Sequence, residues 1–199
     1  MAGKIEERHK ALRNKLVDIA EIRVAAGGVE AVKARDLAKE AECALGAIYN
    51  VFDDLNDIVL AVNGRTFQQL DAALQHGLQG YEGASATQRL IAIAAAYLEF
   101  AMHHPNRWRS LFDVPFSADL QVPRWYWDQL DQLFDHISGP VAECFPEMSQ
   151  TDQALMTRAL FSSVHGIVSL GIENRVMPIP QDQLMRMIEL VVCQGAGNK

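Results

Sequence analysis

The chain has 199 residues (22.1 kDa), 49% of them apolar and 22% charged, with a mean hydropathy of −0.02. That composition excludes a disordered or membrane-embedded chain and supplies a core without disulfide or metal staples. Net charge is −7, yet Met1 to Lys39 carries nine Lys/Arg against six Asp/Glu, so a head of local charge +3 precedes a body of −10. Such a division predicts that only the head meets a polyanion; an ordinary solvated helix face is the competing reading. Cys43, Cys144 and Cys193 are odd in number and far apart, which reads as reduced thiols. The longest apolar run, Leu90 to Leu98, falls short of the ~20 residues of a bilayer span. Met1 to Glu7 shows no apolar stretch behind its charge. No secretory leader and no membrane contact are therefore expected, and the expected location is cytoplasmic.

Helical periodicity runs through the chain, and no alternating strand pattern interrupts it. Leu12, Leu16, Ile19, Ala20 and Val24 mark a first helix that Gly27-Gly28 should end. A short helix over Ala34–Ala41 follows, then three linking residues, Glu42-Cys43-Ala44, then a second short helix over Leu45–Val51. Asp53-Asp54 suit the start of a longer helix reaching about Leu78. After a glycine-bearing joint (Gly77, Gly80, Gly83), Ser85-Ala86-Thr87-Gln88 has the form of a capping box for a helix ending at His104-Pro105. A short piece over Asn106–Phe112 leads to a turn punctuated by Pro115 and Pro123. A helix from Arg124 should be kinked or broken at Gly139-Pro140. Ser149 to Asp152 caps the next helix, Pro178 and Pro180 interrupt, and Gln181–Gln194 closes the chain. The expected fold is all-α with eight or nine helices: an N-terminal three-helix domain over residues 1–54 and a larger helical domain over 55–199.

Two short helices joined by a three-residue turn have helix-turn-helix geometry, in which the first helix braces and the second enters the DNA major groove. Ala38 lets the helices cross closely, and Leu37, Ala41, Ile48 and Phe52 supply a small core. Gly46 leaves room for backbone to approach a phosphate or base edge. Tyr49 offers a hydroxyl to a phosphate, and Asn50 can pair with a base edge. A hairpin that merely packs, with Tyr49 in its core, is the structural alternative.

The segment from Leu12 to about Val62 resembles the N-terminal domain of TetR-family (tetracycline-repressor-like) transcriptional regulators. The resemblance rests on Arg35-Asp36-Leu37-Ala38, on Gly46-Ala47-Ile48-Tyr49-Asn50-Val51-Phe52 and on Leu60-Ala61-Val62. It implies a homodimer whose C-terminal domain binds a small molecule and whose ligand-bound form releases a palindromic operator. It also implies that Tyr49 contacts phosphate, that Gly46 and Ala47 begin the groove-facing helix, and that Arg35 contacts DNA from the bracing helix. Lys33, Leu45 and Asn50 complete the expected DNA-binding set, with apolar contact to thymine methyls from Leu45 or Ala47. The chain departs from the family pattern at Val32-Lys33-Ala34, where a capping hydroxyl is usual, and at Glu42 and Ala44, where Gly and Ser are usual. Leu55, behind Asp53-Asp54, stands where a phosphate-directed Lys is usual.

In the second domain an effector site is expected among Phe100, Trp108, Phe112, Trp127, Phe134, Phe161 and His165, drawn from an aromatic-rich stretch that also holds Phe116, Trp125 and Tyr126. Simple core packing is the alternative for each ring. His104-Pro105, Arg109 and Phe112 resemble the C-terminal domain of one TetR subgroup. The half lacks a basic cluster, so an apolar or cationic effector fits better than a phosphorylated one. Ser162, Ser163, Gly166 and Ser169, with the helix over Leu184–Val192, suit a two-fold helical interface or internal packing. No metal-ligand or nucleophile motif occurs, so no catalytic residue, metal or cofactor is expected. The sequence thus predicts a ligand-responsive DNA-binding regulator, a homodimeric repressor with duplex operator and small-molecule effector as partners. The alternative is a helical binding module whose head has weak or lost DNA binding.

Overall fold

The computed structural model describes residues 2–113, 122–173 and 179–196; Pro115, Phe116 and Pro178 lie outside them. Among the described residues the regular structure is helical: α1 (Ala2–Gly27), a 3-10 turn (Val29–Ala31), α2 (Ala34–Ala41), α3 (Leu45–Ile48), α4 (Leu55–Gly77), α5 (Ala86–His103), α6 (Pro105–Asp113), α7 (Arg124–Cys144), α8 (Gln150–Glu173) and α9 (Gln181–Gly195). The all-α expectation holds. Contacts divide the chain into one unit of residues 1–68 and 104–126 and another of 69–103 and 127–199.

In the first unit, α1 buries Leu16, Ala20 and Val24 completely, one per turn, while Gly3 to Ala11 stay exposed. Gly28 ends the helix at φ +72° and ψ −170°, a region open essentially to glycine alone, and its N–H donates to the Val24 carbonyl at 2.8 Å. Helix α2 closes with a Schellman motif. The Cys43 N–H reaches the Ala38 carbonyl (2.9 Å) and the Glu42 N–H reaches that of Lys39 (3.2 Å). Glu42 therefore sits left-handed at φ 56°, ψ 43°, in the place that favours glycine. The expected small core forms: Leu37, Ala38, Ala41, Ile48 and Phe52 are all buried. Asp54 accepts from the Asp57 N–H (2.9 Å), so one of the two acids caps α4.

Helices α4 and α6 meet through a buried polar pair. Asn63 Nδ2 donates to the Ser110 carbonyl at 2.7 Å, and the Ser110 hydroxyl lies 2.7 Å from Asn63 Oδ1 and 2.6 Å from the Arg107 carbonyl. Ser110 lies in the last turn of α6, where carbonyls have no partner within the helix, so the amide completes that end. Tyr126 is buried edge-on to Phe67 at 5.0 Å; burial raises its pKa, and the nearby Asn63 amide works the other way. Arg65 links α4 to α1 through Asp18 (2.7 Å) and Glu21 (2.8 Å). Burial opposes its charge, but those hydrogen bonds outweigh the burial and raise its pKa.

In the second unit, α5, α8 and α9 pack together. Ser85 and Gln88 form the expected capping box, with both reciprocal bonds made (3.0 and 3.2 Å), and Ser149 accepts from the Asp152 N–H at 3.1 Å. Leu184, Ile188 and Val192, four residues apart, are the buried stripe of α9. A Cβ at Gly171 would lie 2.5 Å from a terminal methyl of Leu184, so any larger residue there would require Leu184 to shift. Of the kink or break expected at Gly139-Pro140, the break does not occur. The helix continues to Cys144, with Pro140 buried inside it and unable to donate to the His136 carbonyl. Tyr97 Oη lies 2.9 Å from His165 Nδ1, and burial holds the imidazole pKa below its ordinary 6.5.

Three outcomes follow from this packing. Asn63→Leu should cost about 2 kcal/mol in urea unfolding, because the buried Ser110 groups lose their partner. Glu42→Gly should add about 0.5–1 kcal/mol by the same measurement, since relief of the left-handed strain exceeds glycine's added unfolded-state entropy. The exposed Lys15–Glu42 pair, at 4.0 Å, offsets little of that gain. For His165 the folded pKa lies below the unfolded one, so protonation favours unfolding. Its contribution is complete above about pH 6.5 and falls as pH drops below it. Unfolding midpoints of the wild type should therefore decline relative to those of His165→Gln between about pH 7.5 and about pH 5.

Candidate nucleic-acid interface and effector site

Helix α3 is shorter than the sequence suggests, with Leu45–Ile48 helical and Tyr49 to Val51 forming a turn. Four residues cannot sustain a helix unaided. Ile48 and Phe52 anchor the segment by burial, and Arg13 of α1 holds its far end. The Arg13 Nη1 donates to the Val51 carbonyl at 2.8 Å, and its guanidinium lies 4.1 Å from the Phe52 ring centroid. With Ile48 turned inward, the groove-directed candidates face outward. Leu45 is 43% and Tyr49 52% exposed, Gly46 and Asn50 are exposed, and Ala47 is half-buried. The packed alternative for Tyr49 does not match this placement.

The cations of the head divide into two groups. Arg23 is engaged internally with Glu40 and Asp36 and with the Ala31 carbonyl; its hydrogen bond to Glu40 is the chief cause of its raised pKa. Arg13 is engaged as described, and Lys15 stands 4.0 Å from Glu42. Lys4, Arg8, Lys10, Lys33, Arg35 and Lys39 are exposed and make no ion pair among the described residues. Lys33 occupies the N-cap position of α2 without a side-chain cap bond, as the missing hydroxyl implies. Sequence reasoning counted Arg13 only as part of the basic head. Its role at the end of α3 depends on a contact 38 residues away, which no local pattern encodes.

The seven expected effector residues fall in both units. Trp108 and Phe112 belong to the first unit, where their ring centroids are 5.4 Å apart; Trp108 is 2% and Phe112 43% exposed. In the second unit Phe161 stands at the centre of a ring cluster. Phe134 is 5.0 Å away edge-on, His165 is stacked at 5.6 Å, and Tyr97 lies at 6.0 Å. Phe100 is buried in this unit, and Trp127 is largely exposed. Tyr97, which fixes His165, was absent from the expected set. The cluster combines an apolar wall with one neutral imidazole and one hydroxyl, chemistry suited to orienting a mostly apolar molecule by a single polar group. Among the described residues no three His, Cys, Asp or Glu side chains gather as a metal site would require.

Similar structures share this architecture. A protein of unknown function from Rhodococcus sp. RHA1 superposes with a TM-score of 0.72 at 23% identity, covering 92% of this chain and 94% of that one. The transcriptional regulator FadR from Bacillus subtilis, solved with stearoyl-CoA, gives 0.66 at 17% identity over 93% and 98% of the two chains. A TetR-like transcriptional regulator from Rhodococcus sp. RHA1 gives 0.64 at 16% identity over 94% and 97%. At these identities the likeness concerns the fold. No curated protein sequence matches the chain. The tetracyclin repressor-like C-terminal domain family matches residues 90–192, more than half of the chain. With that match behind a helix-turn-helix head, the chain belongs to the TetR family of transcriptional regulators.

Proposed function

We propose that the protein is a homodimeric repressor that binds a palindromic duplex operator and leaves it when a small, mostly apolar effector occupies the second domain. The observation that carries this reading is the outward face of α3 and its turn. Leu45, Gly46, Tyr49 and Asn50 stand exposed, with Ala47 half-buried among them, and the cations Lys33 and Arg35 are exposed and unpaired. In this reading Tyr49, Lys33 and Arg35 hold phosphates, with Lys4, Arg8 and Lys10 extending the grip along the exposed start of α1. Asn50 and the small residues meet base edges. The effector's apolar body would lie against Phe134 and Phe161, oriented by His165 and Tyr97, with Phe100 and Trp127 as the remaining candidates in that unit.

A two-fold pairing is supported by α8 and α9. Helix α8 is long and apolar enough to cross a membrane by length and composition, yet much of it is exposed in the single chain. Leu155 (57%) and Leu170 (62%) on α8, with Leu190 (48%) on α9, lie away from the buried stripes. A second copy covering these faces accounts for their character without a bilayer. A regulator of this kind works in the cytoplasm, where its operator is.

The second reading, a binding module with little DNA affinity, is favoured by a recognition segment without Lys or Arg and by exposed Asp53 and Asp54 beside it. Selection from fragmented genomic DNA of the source separates the two. The purified chain should sediment as a dimer and enrich a palindrome, with affinity falling ~10³-fold between about 50 and about 200 mM salt. Tyr49→Phe should weaken binding about tenfold while the dimer stays intact. A dimer that enriches no palindrome supports the second reading.

A further inference from the structure

The first unit also holds a groove of about 790 Å³ between the Gly27–Lys33 connection, the start of α4 and α6, which shares only Lys33 with the candidate nucleic-acid interface. Its volume lies within the range of small-molecule sites. Val32 and Val59, both buried, and Leu55 form an apolar wall. Arg109 of α6 lines the groove in a half-buried position, with Nε shielded from solvent and without a hydrogen-bond partner. No carboxylate among the described residues pairs with it, including Asp113 one turn along the same helix. A shielded polar atom without a partner is unusual, since buried polar groups in folded proteins almost always find one. The acids of the groove, Glu30 and Asp113, are exposed and water-screened, whereas Arg109 is half-buried, so its charge is the less screened of the three. Lys33 at the rim adds a second positive charge.

We infer that this groove is a binding site for a small carboxylic acid, with the carboxylate bidentate on Arg109 and the hydrocarbon body on Val32, Leu55 and Val59. Guanidinium and carboxylate match as planar forks, and a low-dielectric wall strengthens the pair. The occupant would touch α6 and the start of α2 together, a place from which it would report on the bracing helix.

The inference does not rest on DNA binding, and its test uses none. The full-length protein, labelled with ¹⁵N, is titrated with 3-phenylpropionate and, in parallel, with the uncharged amide of the same acid. Amides of Gly27, Gly28, Asn56 and Asn106 should shift and saturate with the acid in the ~1 mM range, and not with the amide. Arg109→Gln should abolish saturation, Arg109→Lys should keep part of it, and Asp113→Asn should tighten binding by removing the competing acid; melting curves check that each variant is folded. If the groove amides stay still, respond equally to acid and amide, or respond unchanged in Arg109→Gln, the site is wrong. Shifts confined to residues around Phe161 would place the acid in the second unit and would equally overturn it.

Discussion

Everything that the head of this protein can do depends on a helix too short to exist by itself. Four residues make barely one turn, and nucleation alone would leave them unfolded in water. Burial of Ile48 and Phe52 with Leu37 and Ala41 supplies the missing free energy, and Arg13 donates to the Val51 carbonyl in the turn that follows α3. The short helix is thus a surface feature of α1 and α2. Its outward residues are free to be small and uncharged because none of them is needed to keep it folded.

The same economy shapes the electrostatics. Within the head, Arg23 is matched to Asp36 and Glu40, Arg65 to Asp18 and Glu21, and Arg13 to the Val51 carbonyl. The exposed Lys4, Arg8, Lys10, Lys33, Arg35 and Lys39 are left unmatched, which fits a surface whose counter-charges arrive with a partner. The acidic pair at Asp53-Asp54 runs against that pattern. Asp54 caps α4 and Asp57 accepts from the Asp53 N–H, so this acidity serves the start of a long helix. Helix stability and polyanion attraction compete at that corner, and here the helix prevails.

Much of this was legible in the sequence because it is local. Capping boxes, the Gly27-Gly28 stop and the Glu42-Cys43-Ala44 turn all act within a few residues, and each stands where the pattern placed it. The small core of the helix-turn-helix was legible for the same reason. What failed to show was set by contacts across the chain. Pro140 reads as a breaker, but the helix runs through it with Pro140 and Val141 both buried, so burial of that stretch outweighs one missing donor. Tyr97 lies inside an alanine-rich run that looks like plain core, and its hydroxyl gains meaning only from His165, 68 residues later. The seven aromatic candidates were chosen by composition, which cannot tell that Trp108 and Phe112 belong with the head while the others do not.

The Asn63–Ser110 pair has a mechanical consequence. Each partner both gives and receives, so sliding α6 along α4 by an ångström would break two buried bonds together rather than stretch one. An apolar seam absorbs such a displacement through rotamer changes, whereas this joint resists it, so the pair ties the first part of α4 to α6 more stiffly than apolar packing alone would.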